Sequence, residues 1–331
     1  MKEWLTLYNS KSGERGIYNR QSAIQKASEN NRRKTEYDFG TNPCSEIILR
    51  PYQFCNLTEV VVRAEDTIET LERKVELATI LGTIQSTLTD LKYLRKIWKD
   101  NTEEERLLGV SLTGIMDCEL LNSSTAGYLP DLLTDLKKVA VSTNLGLSSK
   151  LGIPQSTAIT CVKPSGTVSQ LVDSASGIHA RHSPYYIRTV RGDKKDPLTR
   201  FMESVGVPVE DDVMQPDSTV VFSFPVKSPT KAVHRDDTGA IEQLNLWLKY
   251  QKNWCEHKPS VTITVKEDEW LDVGAWVYEN FDDVAGISFL PYSDHTYKQA
   301  PYQECSKEEY LELKKRMPKN IDWQSLSDIE K

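Results

Sequence analysis

The clearest pattern along the chain is an apolar repeat of helical period that begins near residue 66. Asp66, with Glu69 three residues later, has the spacing of a capping box and predicts a helix that runs to about Asp90. Its predicted apolar face consists of Ile68, Leu71, Val75, Ala78, Leu81 and Ile84. A second helix is predicted from Pro130 to Leu151, where Gly152 and Pro154 supply a stop signal. The stretch 108–117 between them is apolar and glycine-punctuated, so it is predicted to be buried.

The second half of the chain alternates between patterns typical of strands and of helices. The predicted strands cover 157–162, 185–190, 219–224, 260–265 and 284–290. The predicted helices cover 240–254 and 267–281, with shorter ones at 21–29, at 168–172 and in the last thirty residues. This strand–helix–strand order favours an α/β sheet or barrel whose strands are largely parallel.

Composition and charge narrow the function classes. The net charge is −7, with acidic and basic residues interleaved, which argues against a surface that grips nucleic acid. No apolar run approaches membrane-spanning length, and the N-terminal residues lack the layout of a signal peptide. We therefore expect a cytoplasmic protein without a membrane partner, in which thiols stay reduced.

Six cysteines stand at positions 44, 55, 118, 161, 255 and 305. Their spacing contains no C-x-x-C pair, so neither a zinc site nor any other metal site is predicted, and a disulfide scaffold is not expected. Cys118 and Cys161 lie in apolar segments and are predicted to be core thiols. Cys255 and His257 are assigned a packing or surface role. A cysteine with a function here would act as a reactive thiol.

The segment Asn42-Pro43-Cys44-Ser45-Glu46 combines three chemically useful side chains in five residues. Pro43 restricts the backbone beside the thiol, which favours an extended loop or turn over a helix. A glutamate can accept a hydroxyl proton, an asparagine can hold hydroxyls, and a thiol can react as nucleophile or radical. The competing interpretation is a proline turn before the strand 47–49, with an inert cysteine. The residues alone favour that simpler interpretation.

The pentapeptide resembles the finger-loop signature of ribonucleotide reductases, Asn-Pro-Cys-x-Glu. Further blocks resemble the family in the same order: Cys55 within 53–57, and the segments 109–117, 163–169, 177–181 and 184–188. The resemblance implies that Cys44 carries a thiyl radical that abstracts the ribose 3'-hydrogen. It implies that Glu46 deprotonates the 3'-hydroxyl, that Asn42 holds the ribose hydroxyls, and that Cys55 is one thiol of the reducing pair.

The turn Pro164-Ser165-Gly166-Thr167 follows a predicted strand and opens a predicted helix. Free backbone N–H groups, two hydroxyls and a glycine suit a phosphate group there. An ordinary Ser/Thr helix cap is the commoner meaning of such a sequence. With the family resemblance, Ser165, Gly166 and Thr167 become the predicted contacts of the substrate phosphate.

The family divides by how its radical is made. The eleven-residue gap from Cys44 to Cys55, and the segments 289–297 and 300–304, resemble the adenosylcobalamin-dependent type that reduces ribonucleoside triphosphates. That resemblance implies adenosylcobalamin as cofactor and thioredoxin or a similar dithiol as reductant. The alternative is the large subunit of an oxygen-dependent class I enzyme. His295 is a weaker candidate for the cobalamin face, and His179 and His182 for substrate or structural contacts.

Several parts that the family has are without a counterpart in this sequence. The partner thiol of Cys55 lies far upstream of the finger loop in the family, and a C-terminal cysteine pair is absent. The resemblance therefore implies the second half of a ten-stranded α/β barrel, with the finger loop near the N-terminus. We expect a single incomplete catalytic domain made of 1–60, 61–300 and 301–331. It would work with a separate N-terminal reductase fragment or be an inactive truncated product, with sheet edges and an apolar face uncovered.

Overall fold

The structure is a computed structural model that describes residues 2–10, 12–13, 16–292 and 297–329. The helices, numbered in chain order, are α1 (Lys2–Ser10), α2 (Arg20–Ser28), α3 (Ile68–Gln85), α4 (Lys96–Glu105), α5 (Leu129–Leu151), α6 (Val168–Leu171), α7 (Pro197–Ser204), α8 (Ala240–Asn253), α9 (Trp270–Glu279), α10 (Lys307–Arg316) and α11 (Leu326–Ile329). The strands are β1 (Gly16–Ile17), β2 (Gly40–Thr41), β3 (Ile48–Leu49), β4 (Asn56–Val61), β5 (Leu108–Thr113), β6 (Thr160–Cys161), β7 (Tyr185–Asp193), β8 (Val209–Asp211), β9 (Thr219–Lys227), β10 (Thr262–Val265), β11 (Ile287–Pro291) and β12 (Tyr302–Glu304).

The chain divides into two compact units. The larger unit contains residues 1–181 and 231–292, and the smaller contains 182–230 and 293–331. The predicted finger loop, Cys55 and the predicted phosphate turn all lie in the larger unit. The expectation of a single incomplete catalytic domain stays a prediction.

Parallel strands form the centre of the larger unit. β4, β5 and β6 pair in that order, and β10 pairs with β11 in a second parallel sheet that β1 joins antiparallel. A parallel bridge between Val162 and Pro259 links the two sheets next to β6 and β10. Five parallel strands therefore follow one another in the order β4, β5, β6, β10, β11. Every residue of β5 is buried, as a strand covered on both faces requires.

Helices α3, α5 and α8 cover these strands and share one apolar core with them. Asn144 of α5 lies at 0% exposure and donates to the hydroxyl of Thr83 in α3 at 2.9 Å. Satisfied buried polar groups of this kind fix the register of two helices as well as holding them together.

The smaller unit is built around an antiparallel sheet in the order β12, β7, β9, β8. The prediction of α/β architecture is confirmed as a mixed α/β fold. The prediction of largely parallel strands holds for the larger unit but not for this sheet. Sequence periodicity identifies strands 185–190 and 219–224 but does not encode the direction of their pairing.

Helix α3 departs from its prediction in two ways. Its capping box is formed by Thr67 and Thr70, whereas Asp66 accepts hydrogen bonds from the Arg63 amide and the Lys74 amine. Its buried face is Leu71, Val75, Thr79, Gly82 and Thr83. Leu77, Leu81, Ile84 and Leu88, which follows the helix, are about half exposed or more and form an apolar stripe on the outside. The predicted apolar face was therefore wrong at Ile68, Leu81 and Ile84, which are exposed, because the small residues of α3 pack inward.

Other predicted elements are present with shifted ends. Helix α5 ends at Leu151 with Gly152 in the left-handed conformation, as the stop signal predicts. Strand β6 covers two of the six residues predicted for it. The helices α1, α4 and α7 were not predicted. No helix among the described residues is long and apolar enough to cross a membrane.

The larger unit contains a buried ion pair between Arg181 and Asp117, and we expect its loss to lower the free energy of unfolding. Both Arg181 and Asp117 are buried, and the guanidinium donates to both carboxylate oxygens at 2.8 Å. We expect Arg181→Met to lower the free energy of unfolding by about 3–5 kcal/mol, because it leaves a buried carboxylate uncompensated. The matched control is Arg73→Met, which breaks an exposed pair with Glu76 and should cost about 0–1 kcal/mol. Denaturant unfolding measures both, and equal costs would contradict the prediction.

Candidate active site

The segment 42–47 connects β2 to β3, which pair antiparallel. The Ser45 amide donates to the Asn42 carbonyl at 2.9 Å, and the Ile47 amide donates to Oδ1 of Asn42 at 3.0 Å. Ser45 has a φ of 68°, in the left-handed region that costs energy for a residue with a side chain. The segment is thus a tight, internally bonded loop, which we call the finger loop. Asn42 shapes the loop through its side-chain oxygen.

The two reactive side chains of the finger loop have opposite environments. Cys44 is exposed, whereas Glu46 is fully buried. The amine of Lys163 lies 3.2 Å from Oε1 of Glu46, and Oε2 of Glu46 has no hydrogen-bond partner among the described residues. Burial of Lys163 opposes its charge, but the carboxylate of Glu46 outweighs this effect and raises the pKa of the amine. Lys163 therefore provides a fixed positive charge beside Glu46.

A second segment, Lys258-Pro259-Ser260, holds the finger loop from the other side. The hydroxyl of Ser260 donates to the Cys44 carbonyl, and the Lys258 amide donates to the Glu46 carbonyl at 3.2 Å. The Lys258 amine donates to the Ser45 hydroxyl at 2.6 Å. Three successive residues of the finger loop are therefore bonded to this segment.

Cys55 lies just before β4, near enough to Glu46 for the charge of the carboxylate to act on its thiol. A Cβ added to Gly109 of β5 would stand 3.2 Å from the Cys55 sulfur, so a glycine there leaves room for the thiol. Burial raises the pKa of the Cys55 thiol, and the charge of Glu46 raises it further. The thiol form is thus favoured, which suits hydrogen-atom or proton transfer better than nucleophilic attack.

The predicted phosphate turn approaches the site through Lys163. Ser165 has a φ of 50° and is buried, and its hydroxyl faces the Glu59 carboxyl. Open space surrounds the position that a Cβ at Gly166 would occupy. Burial raises the pKa of the nearby Glu59 carboxyl, while Ser165 and Lys163 lower it. Thr167 begins the single turn of α6 without a side-chain cap bond, so the simpler interpretation as a Ser/Thr cap is not supported.

A cavity of about 370 Å³ opens on the Cys44 side of the finger loop. Among its lining residues are Gly16, Tyr18, Cys44, Ser260, Gly286 and Ser288. Pockets of this order of size accommodate small organic ligands. The finger loop therefore directs the exposed Cys44 thiol toward a cavity and the buried Glu46 carboxylate toward Lys163.

The remaining candidates from the sequence have structural surroundings. His179 bonds the Ser176 carbonyl and accepts from the Thr262 amide, and burial lowers its pKa. His182 packs against Tyr186 and Tyr302. Cys118 and Cys161 are buried, as predicted, and Cys255 is buried too. His295 lies outside the described residues.

His257 has a more specific role than the packing or surface position predicted for it. It is fully buried, and its ring bonds the Ile48 amide at 3.3 Å and the Leu108 carbonyl at 2.9 Å. It thereby ties β3, directly after the finger loop, to the central strand β5. This contact fits a neutral ring with the proton on Nε2.

Sequence reasoning did not single out Glu59, Lys163, Lys258 or Ser260. One signal could have identified the lysines: both precede a proline, at Lys163-Pro164 and Lys258-Pro259, next to apolar strands. The residue before proline is extended, so these lysines end or begin strands and project from a sheet edge. A lysine at such a position needs a partner if it is buried.

The fold is that of ribonucleotide reductases. A crystal structure of a B12-dependent (class II) ribonucleotide reductase matches 99% of this chain and 50% of its own, with a TM-score of 0.79 and 23% identity. The class Id ribonucleotide reductase alpha subunit of Actinobacillus ureae matches 88% of this chain and 61% of its own, with a TM-score of 0.54 and 12% identity. The fold likeness is therefore greater to the class II structure than to the class I structure.

The sequence is similar to curated adenosylcobalamin-dependent ribonucleoside-triphosphate reductases. That of Euglena gracilis is 30% identical over 296 residues, which cover 88% of this chain and 40% of the relative. That of Lactobacillus delbrueckii subsp. bulgaricus is 28% identical over 315 residues, covering 86% and 42%. A probable enzyme of this kind from Dictyostelium discoideum is 29% identical, covering 89% and 39%. The resemblance inferred from the finger loop is confirmed, and the chain spans about 40% of the length of these relatives. No family model matches the chain.

The buried histidine predicts how stability responds to acid. Burial, aided by the charge of Arg33, lowers the pKa of His257 to about 3, whereas an unfolded histidine titrates near 6.5. Below pH 6.5 the unfolded chain therefore binds a proton that the folded chain does not, and stability falls as pH falls. We expect protonation of His257 in the unfolded chain to lower the free energy of unfolding by about 2 kcal/mol between pH 7 and pH 5.

The test compares the wild-type chain with His257→Gln by denaturant unfolding at pH 7 and pH 5. The variant should be less stable at pH 7, because it loses the bonds to Ile48 and Leu108. The deficit should shrink or reverse at pH 5, because the variant no longer has the imidazole that protonates on unfolding. The same deficit at both pH values would show that His257 does not titrate on unfolding.

Proposed function

We propose that this chain carries the radical site of an adenosylcobalamin-dependent ribonucleotide reductase that acts on ribonucleoside triphosphates. The observation that carries the proposal is the arrangement around Glu46. An exposed Cys44 and a second thiol at Cys55 flank one buried carboxylate, which Lys163 holds. The names of the curated relatives supply the cofactor and the substrate class.

Each finger-loop residue has a chemical role in this proposal. Cys44, as a thiyl radical, takes the 3'-hydrogen of the ribose. Glu46 accepts the proton of the 3'-hydroxyl, and its Oε2, which has no partner in the described part of the chain, is the available acceptor. Asn42 uses its side-chain oxygen within the loop, so its amide nitrogen is the group left to hold a ribose hydroxyl.

Replacement of the 2'-hydroxyl by hydrogen, with loss of water, requires two protons and two electrons, which a pair of thiols supplies as it becomes a disulfide. Cys55 is one of them, and its raised pKa keeps it protonated and ready to donate. In the proposal the second thiol comes from a separate N-terminal reductase fragment. Thioredoxin or a similar dithiol then reduces the resulting disulfide.

The phosphates of the substrate bind at Ser165, Gly166 and Thr167. Two facts support this proposal: open space surrounds Gly166, and Lys163 connects the turn to Glu46. Lys163 thus lies between Glu46, the proposed base at the ribose, and the turn 165–167, which is proposed to bind the phosphates. A positive charge at this position suits an anionic substrate.

The cavity on the Cys44 side fits part of the cofactor. Its volume of about 370 Å³ and its glycine lining leave space for a nucleoside-sized group beside the thiol. Gly16, Tyr18 and Ser288 would contact that group. Adenosylcobalamin, when bound, supplies a 5'-deoxyadenosyl radical by cleavage of its Co–C bond. The protein places Cys44 at the cavity wall and keeps Glu46 out of water.

We further propose that the five parallel strands are the second half of a ten-stranded barrel. β4 is the outer strand of its sheet, and helix α3 beside it carries the exposed stripe Leu77, Leu81, Ile84 and Leu88. An open strand edge and a contiguous apolar stripe are features that proteins normally cover. The N-terminal fragment is the proposed cover.

The test is to express the chain alone and with the N-terminal portion of a class II relative, then assay deoxyribonucleotide formation. The mixture contains a ribonucleoside triphosphate, adenosylcobalamin and a dithiol. We expect activity from the pair but not from the chain alone, since Cys55 needs a second thiol. Cys44→Ser should abolish the activity, and Cys305→Ser, outside the proposed site, should leave it unchanged.

Failure of the pair would contradict the proposal and favour an inactive truncated product. Activity of the chain alone would contradict the need for a fragment. Activity that depends on a radical-supplying protein instead of adenosylcobalamin would favour a class I large subunit.

A further inference from the structure

Lys258 is the most unusual charged residue of the larger unit that the proposed chemistry leaves unused. It is fully buried, yet the partner of its amine is a hydroxyl, that of Ser45 at 2.6 Å. Buried lysines are rare because the ammonium group loses its hydration, and they usually pair with a carboxylate in direct contact. Lys26, also buried, has such a partner in Glu29 at 2.7 Å.

The surroundings are shaped to admit this amine. A Cβ added to Gly286 would stand 2.0 Å from the Lys258 amine and 3.3 Å from the Ser45 hydroxyl. A glycine at position 286 therefore leaves the space in which the lysine and the serine meet. The ring of Tyr18 lies 5.7 Å from the amine on another side.

Lys258 bonds the finger loop twice. Its backbone amide donates to the Glu46 carbonyl, and its amine donates to the side chain of Ser45, the residue with left-handed backbone geometry. These bonds fall on the two residues after Cys44. They fix the turn that directs Cys44 toward the cavity and Glu46 toward Lys163.

We propose that Lys258 is a positioning residue of the finger loop, which holds Ser45 in its left-handed conformation and so keeps Cys44 and Glu46 on opposite sides of the loop. The importance of this role for catalysis rests on the proposed function. The role itself concerns the loop and is tested without turnover.

The charge state of Lys258 is compatible with this position. Burial lowers the pKa of its amine to about 7, although the charge of Glu46 opposes that shift. Near neutral pH the amine is therefore partly uncharged and can be buried without a carboxylate in contact. Either form can donate a hydrogen bond to the Ser45 oxygen.

The test measures hydrogen–deuterium exchange of the finger-loop peptide by mass spectrometry in the full chain. The informative amides are those of Ser45 and Ile47, which bond Asn42 within the loop. We expect Lys258→Met and Ser45→Ala each to speed exchange there by about tenfold or more, the effect of losing one buried hydrogen bond. Gly286→Ala should do the same by displacing the amine while Lys258 itself remains.

Two controls separate positioning from general destabilisation. Lys26→Met removes a buried lysine whose carboxylate partner is outside the finger loop, and it should leave loop exchange within about twofold of the wild type. The double variant of Lys258→Met and Ser45→Ala should exchange no more than about twofold faster than either single variant, since both remove one contact. Ser45→Ala leaves the core intact, so it carries the test if Lys258→Met fails to fold.

Unchanged loop exchange in Ser45→Ala, equal effects of Lys258→Met and Lys26→Met, or additive effects of the two single changes would each overturn the proposal. In the reconstituted pair, Lys258→Met should lower kcat with little change in KM for the nucleotide. Absence of activity in every sample, wild type included, would count against the proposed function alone, because the exchange measurements still decide the role of Lys258.

Discussion

The burial of the Glu46 carboxylate is the constraint on which the candidate site depends. A carboxylate without solvent is costly unless a cation and hydrogen-bond donors surround it. Lys163 supplies the contact at 3.2 Å, and Lys258 adds a second amine that interacts with the same carboxylate. Because the other oxygen of Glu46 has no hydrogen-bond partner among the residues that the structure describes, the site retains an acceptor next to Lys163.

That constraint explains why the site needs this fold. The finger loop follows β2, Lys163 follows β6, and Lys258 precedes β10, so the three groups come from distant parts of the sequence. The bridge between Val162 and Pro259 brings the last two segments side by side. His257 then ties β3 to β5, so the loop is attached to the sheet at both its tip and its base. A rigid sheet thus carries a strained loop, an arrangement suited to holding reactive groups apart.

Much of this arrangement was predictable from sequence. The spacing of Asn42, Cys44 and Glu46 indicated the family, and the apolar periods located α5, α8, β10 and β11. The segment of β5 was predicted only to be buried, and β4 was not predicted. Local patterns could not show which face of α3 packs inward, because Thr79, Gly82 and Thr83 allow close packing that hydrophobicity does not register. Nor could they show that the lysines at 163 and 258 both contact the finger loop, since that depends on the order of strands β6 and β10. The role of His257 could not be predicted for the same reason, because its ring bonds Ile48 and Leu108, which belong to strands that are distant in sequence.

The central claim is that Cys44 acts as a radical on the ribose while Glu46 serves as its base. The most direct measurement compares deoxynucleotide formation from a substrate that carries deuterium at the 3'-carbon with that from unlabelled substrate, in the chain paired with its proposed N-terminal fragment. We expect slower formation from the deuterated substrate and none with Cys44→Ser. Product formation by Cys44→Ser at the wild-type rate would contradict it, because the 3'-hydrogen would then be removed by another group.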